Sequence, residues 1–410
     1  MMCFSRSAAF RKGMIVAVLL FFAALFVSAC KEVAGNKTVY SSKEKTILVY
    51  MAANNGLSSY ATENLFDMEK GYIPTTDGNL LVYYHIKDQN PLLLRITRDG
   101  GGDAELDTIY KFPAQNSAEA SSISRAMKVT ATFFPAAEYG LVLWSHGTGW
   151  LPSGYYSANT SSIYSAGAPS FGEPGTPSDP YADMVKSGVQ TKSFASEDGE
   201  EMEITALAAA LPYKLSFVIF DACLMGGIET AYQIKDSTDY VMFSPTEVLS
   251  QGFPYSKIMR HLFNSPTDLV GTAKEYYDFY SSSSGTISLI KTSSLDSLAD
   301  AVKSVMETSR SKIGDLDMSD IQGYFRGSKA YFYDLRDFLS RISSPEQLAA
   351  VDAALASAVK YKAATSYFIT IPININKFCG LSTYVPNPQN STLETFYKKF
   401  RWNDACLMIE

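Results

Sequence analysis

The chain has 410 residues, of which 46% are hydrophobic and 13% aromatic, the composition of a globular protein and not of a disordered one. Its 35 Lys and Arg against 42 Asp and Glu give a formal net charge of −7, which excludes a basic footprint for nucleic acid. A chain of this length can bury one large core or two ordinary ones.

The first thirty residues stand apart from the fold. A short basic start (Arg6, Arg11, Lys12) leads into an apolar run over residues 14–27 and then Ser28-Ala29-Cys30, the pattern of a secretory signal. The run is shorter than the ~20 apolar residues that span a bilayer. Small residues just before a cysteine suit a bacterial lipoprotein signal peptidase, so Cys30 is expected to become an acylated N-terminus after removal of residues 1–29. Cleavage near Ala29 by an ordinary signal peptidase is the alternative. Lys31, in place of an Asp, favours delivery to the outer membrane, on its periplasmic face or at the cell surface. Residues 30–44 are polar and small, as a tether is.

Structure is expected from Lys45 onward. The apolar run 46–53, ending in Asn54-Asn55-Gly56, reads as a buried strand and a turn, followed by a helix over 60–70. Strands follow at 79–85, 92–97 and 106–110, with the acidic glycine-rich segment 99–103 as a hairpin turn and not a calcium or phosphate loop. A helix fits 117–134. Strands at 139–145 and 216–221 flank an insert, residues 151–198, rich in Ser, Gly, Pro, Tyr and Ala and without periodicity. A helix over 225–234, a strand at 239–243 and a loop over 244–255 come next. Beyond residue 256, helices at 267–280, 295–311 and 345–361 alternate with strands at 285–290 and 366–371. Fully apolar strands alternating with helices predict an α/β protein with a mostly parallel sheet covered on both faces. The expected organisation is a core over 45–255 with a C-terminal α/β extension, 256–410, packed on it.

Cysteine and histidine are scarce enough to be read singly. Cys3 leaves with the leader and Cys30 is the lipid site, so Cys223, Cys379 and Cys406 remain. Cys379 and Cys406 either bridge in an oxidising compartment, leaving Cys223 as the odd thiol, or stay buried and free. Of three histidines, His85 and His261 have no companions at metal-ligand spacing. His146 directly follows a predicted strand, in Trp144-Ser145-His146-Gly147-Thr148-Gly149-Trp150, and Cys223 follows another, in Phe220-Asp221-Ala222-Cys223-Leu224-Met225-Gly226-Gly227. Ligands and catalytic groups in open α/β sheets gather just past the carboxyl ends of strands. If the two strands are neighbours, thiol and imidazole face one crevice, with the thiolate favoured near a helix start. Gly147, lacking a side chain, lets a carbonyl approach the amides of Gly147 and Cys223. The same residues also fit a satisfied turn histidine and a packed core thiol.

The paired motifs Leu-Trp-Ser-His-Gly and Phe-Asp-Ala-Cys-Leu-Met-Gly, in this order, resemble the clostripain family of cysteine peptidases, whose fold is caspase-like and related to the gingipains. The likeness extends to Tyr50-Met-Ala-Ala-Asn-Asn55 with Asp67-Met-Glu69, to residues 194–204, to 239–247 and to Gly380-Leu-Ser-Thr-Tyr-Val-Pro386. It implies a cysteine endopeptidase without an obligatory metal, with Cys223 as nucleophile and His146 as base and acid. It further implies a polypeptide substrate and Asp221 in a pocket for Arg or Lys before the scissile bond. Asp221 equally suits a strand-end acid capping the next helix. Relatives that cut after basic residues carry a further acid after the next strand, where this chain offers Glu247 and no Asp beyond it. The insert suits self-cleavage at Lys186 or Lys192, or a plain surface loop. Tyr155-Tyr156 and Phe332-Tyr333 read first as packing and surface residues; the alternative to an enzyme is a catalytically silent surface lipoprotein that binds peptide or glycan, for which they would be the aromatic surface.

Overall fold

The computed structural model of the protein describes residues 39–72, 77–155, 197, 200–324, 331–368 and 373–410. The expected leader, Cys30, most of the tether, Tyr156 and most of the insert with Lys186 and Lys192 lie outside the described residues. All that follows concerns the compact unit Ser41–Glu410.

In chain order the strands are β1 (Lys43–Ala53), β2 (Gly78–Ile86), β3 (Leu92–Arg98), β4 (Ala104–Lys111), β5 (Ala136–Trp144), β6 (Leu215–Asp221), β7 (Thr238–Phe243), β8 (Thr286–Lys291), β9 (Tyr333–Asp334) and β10 (Val359–Ala364). Two-residue strands β11 (Tyr367–Phe368), β12 (Ile373–Asn374) and β13 (Ser382–Thr383) complete the set. The helices are α1 (Ser58–Gly71), α2 (Ala120–Phe133), α3 (Ile204–Ala210), α4 (Ile228–Ile234), α5 (Tyr255–Leu262), α6 (Leu269–Tyr280), α7 (Leu295–Ser309), α8 (Leu335–Ile342), α9 (Pro345–Ala358), α10 (Ser391–Tyr397) and α11 (Arg401–Cys406).

A nine-stranded sheet runs in the order β10-β8-β7-β6-β5-β1-β2-β3-β4. Its centre, from β7 through β6, β5 and β1 to β2, is parallel, and both flanks are antiparallel. The composition of the strands explains the split. β1 and β2 are buried almost end to end, as strands covered on both faces must be, whereas the edge strands β4 and β10 are mostly exposed or half-buried. Alternate side chains of β1 take opposite faces. Ile47, Val49 and Met51 pack in one cluster with Leu65 and Met68 of α1, Ile258 of α5 and Tyr276 of α6. From the other face Thr46 Oγ1 donates to Phe134 O at 3.1 Å, at the end of α2, and Tyr50 OH donates to Ser117 O at 3.1 Å. That layer continues through packed pairs α2 with α3, α3 with α4, α4 with α11 and α11 with α7. Each fully buried aliphatic side chain in these layers contributes about 1.5–3 kcal/mol.

The mostly parallel α/β architecture is as expected, with local differences. The helix predicted over 345–361 stops at Ala358, and Val359–Ala364 instead pairs antiparallel with β8. No Gly or Pro marks that boundary; only the alternating exposure of β10 betrays a strand. The predicted strand at 366–371 is the short β11 among the described residues, and α3, α5, α8, α10 and α11 form where no element is predicted. Most relevant to function, the helix after Cys223 begins at Ile228 and not at 225, because Leu224 adopts φ 60° and turns the chain first.

Candidate active site

Strand register decides where the two motifs meet. β5 and β6 are adjacent and parallel, and Trp144 lies opposite Asp221. His146 and Cys223 each stand two residues past that pair, so both lie at the same level beyond the carboxyl ends of neighbouring strands. Ser145 N donates to Asp221 O at 3.4 Å, carrying the pairing one step further. The loops then touch through glycine. A Cβ on Gly147 would sit 2.2 Å from Cys223 O and 2.8 Å from Cys223 N, and one on Gly149 (φ 64°) would sit 2.6 Å from Leu224 O. Only hydrogen in place of a side chain permits backbones this close. Beyond the substrate access expected of it, Gly147 admits the cysteine loop in the fold.

Aromatic packing holds the histidine loop in place. Trp150, 1% exposed, makes ring contacts with Phe332, Tyr384, Tyr397 and Phe400, and its Nε1 donates to Tyr331 O at 3.4 Å. Tyr155 packs edge-on against Tyr331 and accepts from Asn390 Nδ2 at 2.9 Å. Phe332 and Tyr333 are buried. These rings form packing, not an exposed platform for sugars. His146 itself is half-buried.

Cys223 is 2% exposed and is held by one residue of the loop after β7. Val248 N–H donates to its Sγ at 3.1 Å, and the thiol donates to Val248 O at 3.4 Å. α4 starts five residues later, so the sulfur lies beside that backbone amide and not at the first residue of a helix. Nothing in the sequence singles out Val248, since its contribution is main-chain.

Asp221 is fully buried, and its Oδ2 accepts from Phe253 N at 3.1 Å and Tyr255 OH at 2.9 Å. It caps no helix; it pins the loop 244–255. Burial and the neighbouring Asp221 charge push the Tyr255 hydroxyl well above its ordinary pKa, so it remains a donor. Glu247, 2% exposed, lies in the same loop, next to Val248.

The C-terminal part completes the cysteine loop. Gly226 N donates to Ser244 O at 2.9 Å, and Ser382 N donates to Gly226 O at 2.8 Å. Behind them Glu229 is wholly buried; Tyr397 OH, Tyr384 N and Thr383 Oγ1 all donate to its Oε1, at 2.6, 2.9 and 2.9 Å. Burial raises the Glu229 pKa above the ordinary carboxylate value. Cys379 and Cys406 are both buried and free, which resolves the two sequence-level alternatives against a bridge.

The remaining histidines have ordinary partners. His85 Nδ1 meets Ser117 Oγ at 2.5 Å and Glu197 Oε2 at 3.4 Å, and His261 Nδ1 meets Asp268 Oδ2 at 2.8 Å. Among the described residues no group of three or more His, Cys, Asp or Glu side chains is placed to hold a metal ion.

A sequence profile of the Clostripain family matches residues 49–163 and 180–408, most of the chain and both motifs. The chain belongs to the clostripain family. It is thus a cysteine peptidase with the fold of that family. Among solved structures, this clostripain-family chain is similar to an inactive zymogen C11 protease from Parabacteroides distasonis, with 31% identity, TM-score 0.75 and coverage of 90% of this chain and 99% of that one. It is also similar to a secreted C11 cysteine protease from Bacteroides thetaiotaomicron in complex with an irreversible peptide inhibitor, with 27% identity, TM-score 0.72 and coverage of 89% and 99%. A search of curated protein sequences finds no match.

Proposed function

We propose that this clostripain-family peptidase is an endopeptidase working through a dyad of Cys223 and His146. The observation that carries the reading is the Trp144–Asp221 register, which brings both residues past the ends of adjacent strands. His146 takes the thiol proton as Cys223 Sγ attacks the peptide carbonyl carbon. Collapse of the tetrahedral adduct breaks the C–N bond, forms a thioester, and passes that proton to the leaving amine. Water, deprotonated by His146, then hydrolyses the thioester to a carboxylic acid and restores the thiol. The amides of Gly147 and Cys223 stabilise the oxyanion. Asp221 and Glu247 make the side-chain pocket acidic, which favours Arg or Lys before the scissile bond. The peptide inhibitor bound by the Bacteroides thetaiotaomicron relative supports a polypeptide substrate.

The thiol clasped by Val248 suits a precursor whose loop 244–255 moves before substrate enters, and the zymogen relative is in line with this. Cutting at Lys186 or Lys192 is the proposed trigger. Membrane attachment through an acylated Cys30, at the outer membrane, rests on the leader pattern alone. An electrophilic peptide probe ending in Lys tests the dyad: it should modify Cys223 in mature protein and fail to do so in His146→Ala. Complete inertness of the mature protein would instead favour a peptide-binding lipoprotein. N-terminal sequencing that shows no new end after Lys186 or Lys192 removes the activation step, and mass spectrometry of the mature N-terminus checks the lipid.

A further inference from the structure

A large polar cleft of about 860 Å³ opens beyond the carboxyl ends of β1 and β2, outside the site described above. That volume lies within the ~300–1,000 Å³ usual for ligand sites. Its floor is built. Glu197, 5% exposed, accepts from Asn54 Nδ2 and from Ser117 N, both at 2.7 Å, while Gln115 Nε2 donates to Tyr83 OH at 3.0 Å. Its rim is the turn from β2 to β3, where Lys87, Gln89 and Asn90 are exposed and no hydrogen bond engages their side chains among the described residues. A rigid, hydrogen-bonded floor under adaptable amide and ammonium groups suits a polar extended chain. Among the described residues no Phe, Tyr or Trp lines the cleft.

We propose that this cleft binds the leaving-group half of a polypeptide substrate, a reading that rests on the dyad of Cys223 and His146. The direction follows from chemistry. The scissile carbonyl sits at the thiol and the departing nitrogen at the imidazole that protonates it, so the acyl half lies over β6 and β7 and the amine half over β5. Beyond β5 on that side come β1 and then β2. Met51 pairs with both Trp144 and Tyr84, so His146, two residues past Trp144, lies at the level of Ala53 and Ile86, where β1 and β2 end. Two strand spacings, roughly 10 Å, equal about three extended residues. The cleft therefore reads side chains from about the third residue after the cut.

Binding to Cys223→Ala protein that the parent peptidase has cut in trans at Lys186 or Lys192 provides the test. One labelled peptide extends five residues on either side of a Lys-containing cut position, and a second stops one residue after it. The longer peptide should bind about tenfold more tightly. Adding Lys87→Gln and Asn90→Ala, both exposed, should reduce the long peptide to the affinity of the short one and leave the short one unchanged, the scale expected for losing two hydrogen-bonding side chains. Equal affinity of the two peptides, an unaltered long peptide in the variant, equal losses for both, or no binding overturns the inference. Failure of the dyad reads out separately, as unmodified Cys223 in the electrophilic probe experiment while this binding difference persists.

Discussion

Gly147→Ala is the sharpest single perturbation of the site. The added methyl would lie 2.2 Å from Cys223 O, 2.8 Å from Cys223 N and 3.1 Å from the Ala222 Cβ. Ordinary carbon contacts need ~3.5–4 Å, so the histidine and cysteine loops must part by on the order of 1 Å. None of these neighbours is the flexible end of a side chain. Overpacking of this kind costs ~1–3 kcal/mol of stability, a fall of a few degrees in Tm. The larger effect falls on chemistry, because a ~1 Å displacement between reacting groups can cost ~100-fold. The assay is the rate of Cys223 modification by the electrophilic probe, or kcat/KM on a peptide, beside a thermal melt. Gly100→Ala serves as control, since a Cβ there meets nothing within 4 Å. A folded Gly147→Ala protein reacting within about twofold of the parent would refute the argument that these backbones must touch for the dyad to align.

Other expectations follow from buried polar groups. Asp221→Ala leaves Phe253 N–H and Tyr255 OH without their acceptor and should cost ~2–5 kcal/mol in denaturant unfolding, with Tyr255→Phe costing less. Glu229 has a folded-state pKa raised by burial, so the folded state holds its proton longer than the unfolded chain does. Stability from this residue is therefore full below the unfolded carboxylate pKa and is lost as pH rises through the folded value. Glu229→Gln should flatten that decline in a series of melts from pH 4 to pH 9, and an unchanged slope would count against it. Cys379 and Cys406 should both alkylate in denaturant without reductant, as free thiols do.

Much of this arrangement is legible in the chain itself. The apolar runs of β1, β5 and β6 announce buried parallel strands, and placing His146 and Cys223 at two strand ends needs only that those strands be neighbours. Adjacency is a property of the topology, visible in the Trp144–Asp221 pairing and in no local pattern. Boundaries without punctuation are harder to read. Nothing between Ala358 and Val359 signals the passage from α9 to β10, and Leu224 turns left-handed where a helix is the simpler guess. Long-range contacts through main-chain groups, such as Val248 on the thiol, leave no residue-type signature at all.

The hydrogen bond from Ser382 to Gly226 and the buried grip of Thr383 and Tyr384 on Glu229 join the Cys223 loop to residues more than 150 positions later. A growing chain therefore lacks a finished cysteine loop until β13 has been made. Fragments cut short before β13 lack the bonds that close the turn carrying Cys223.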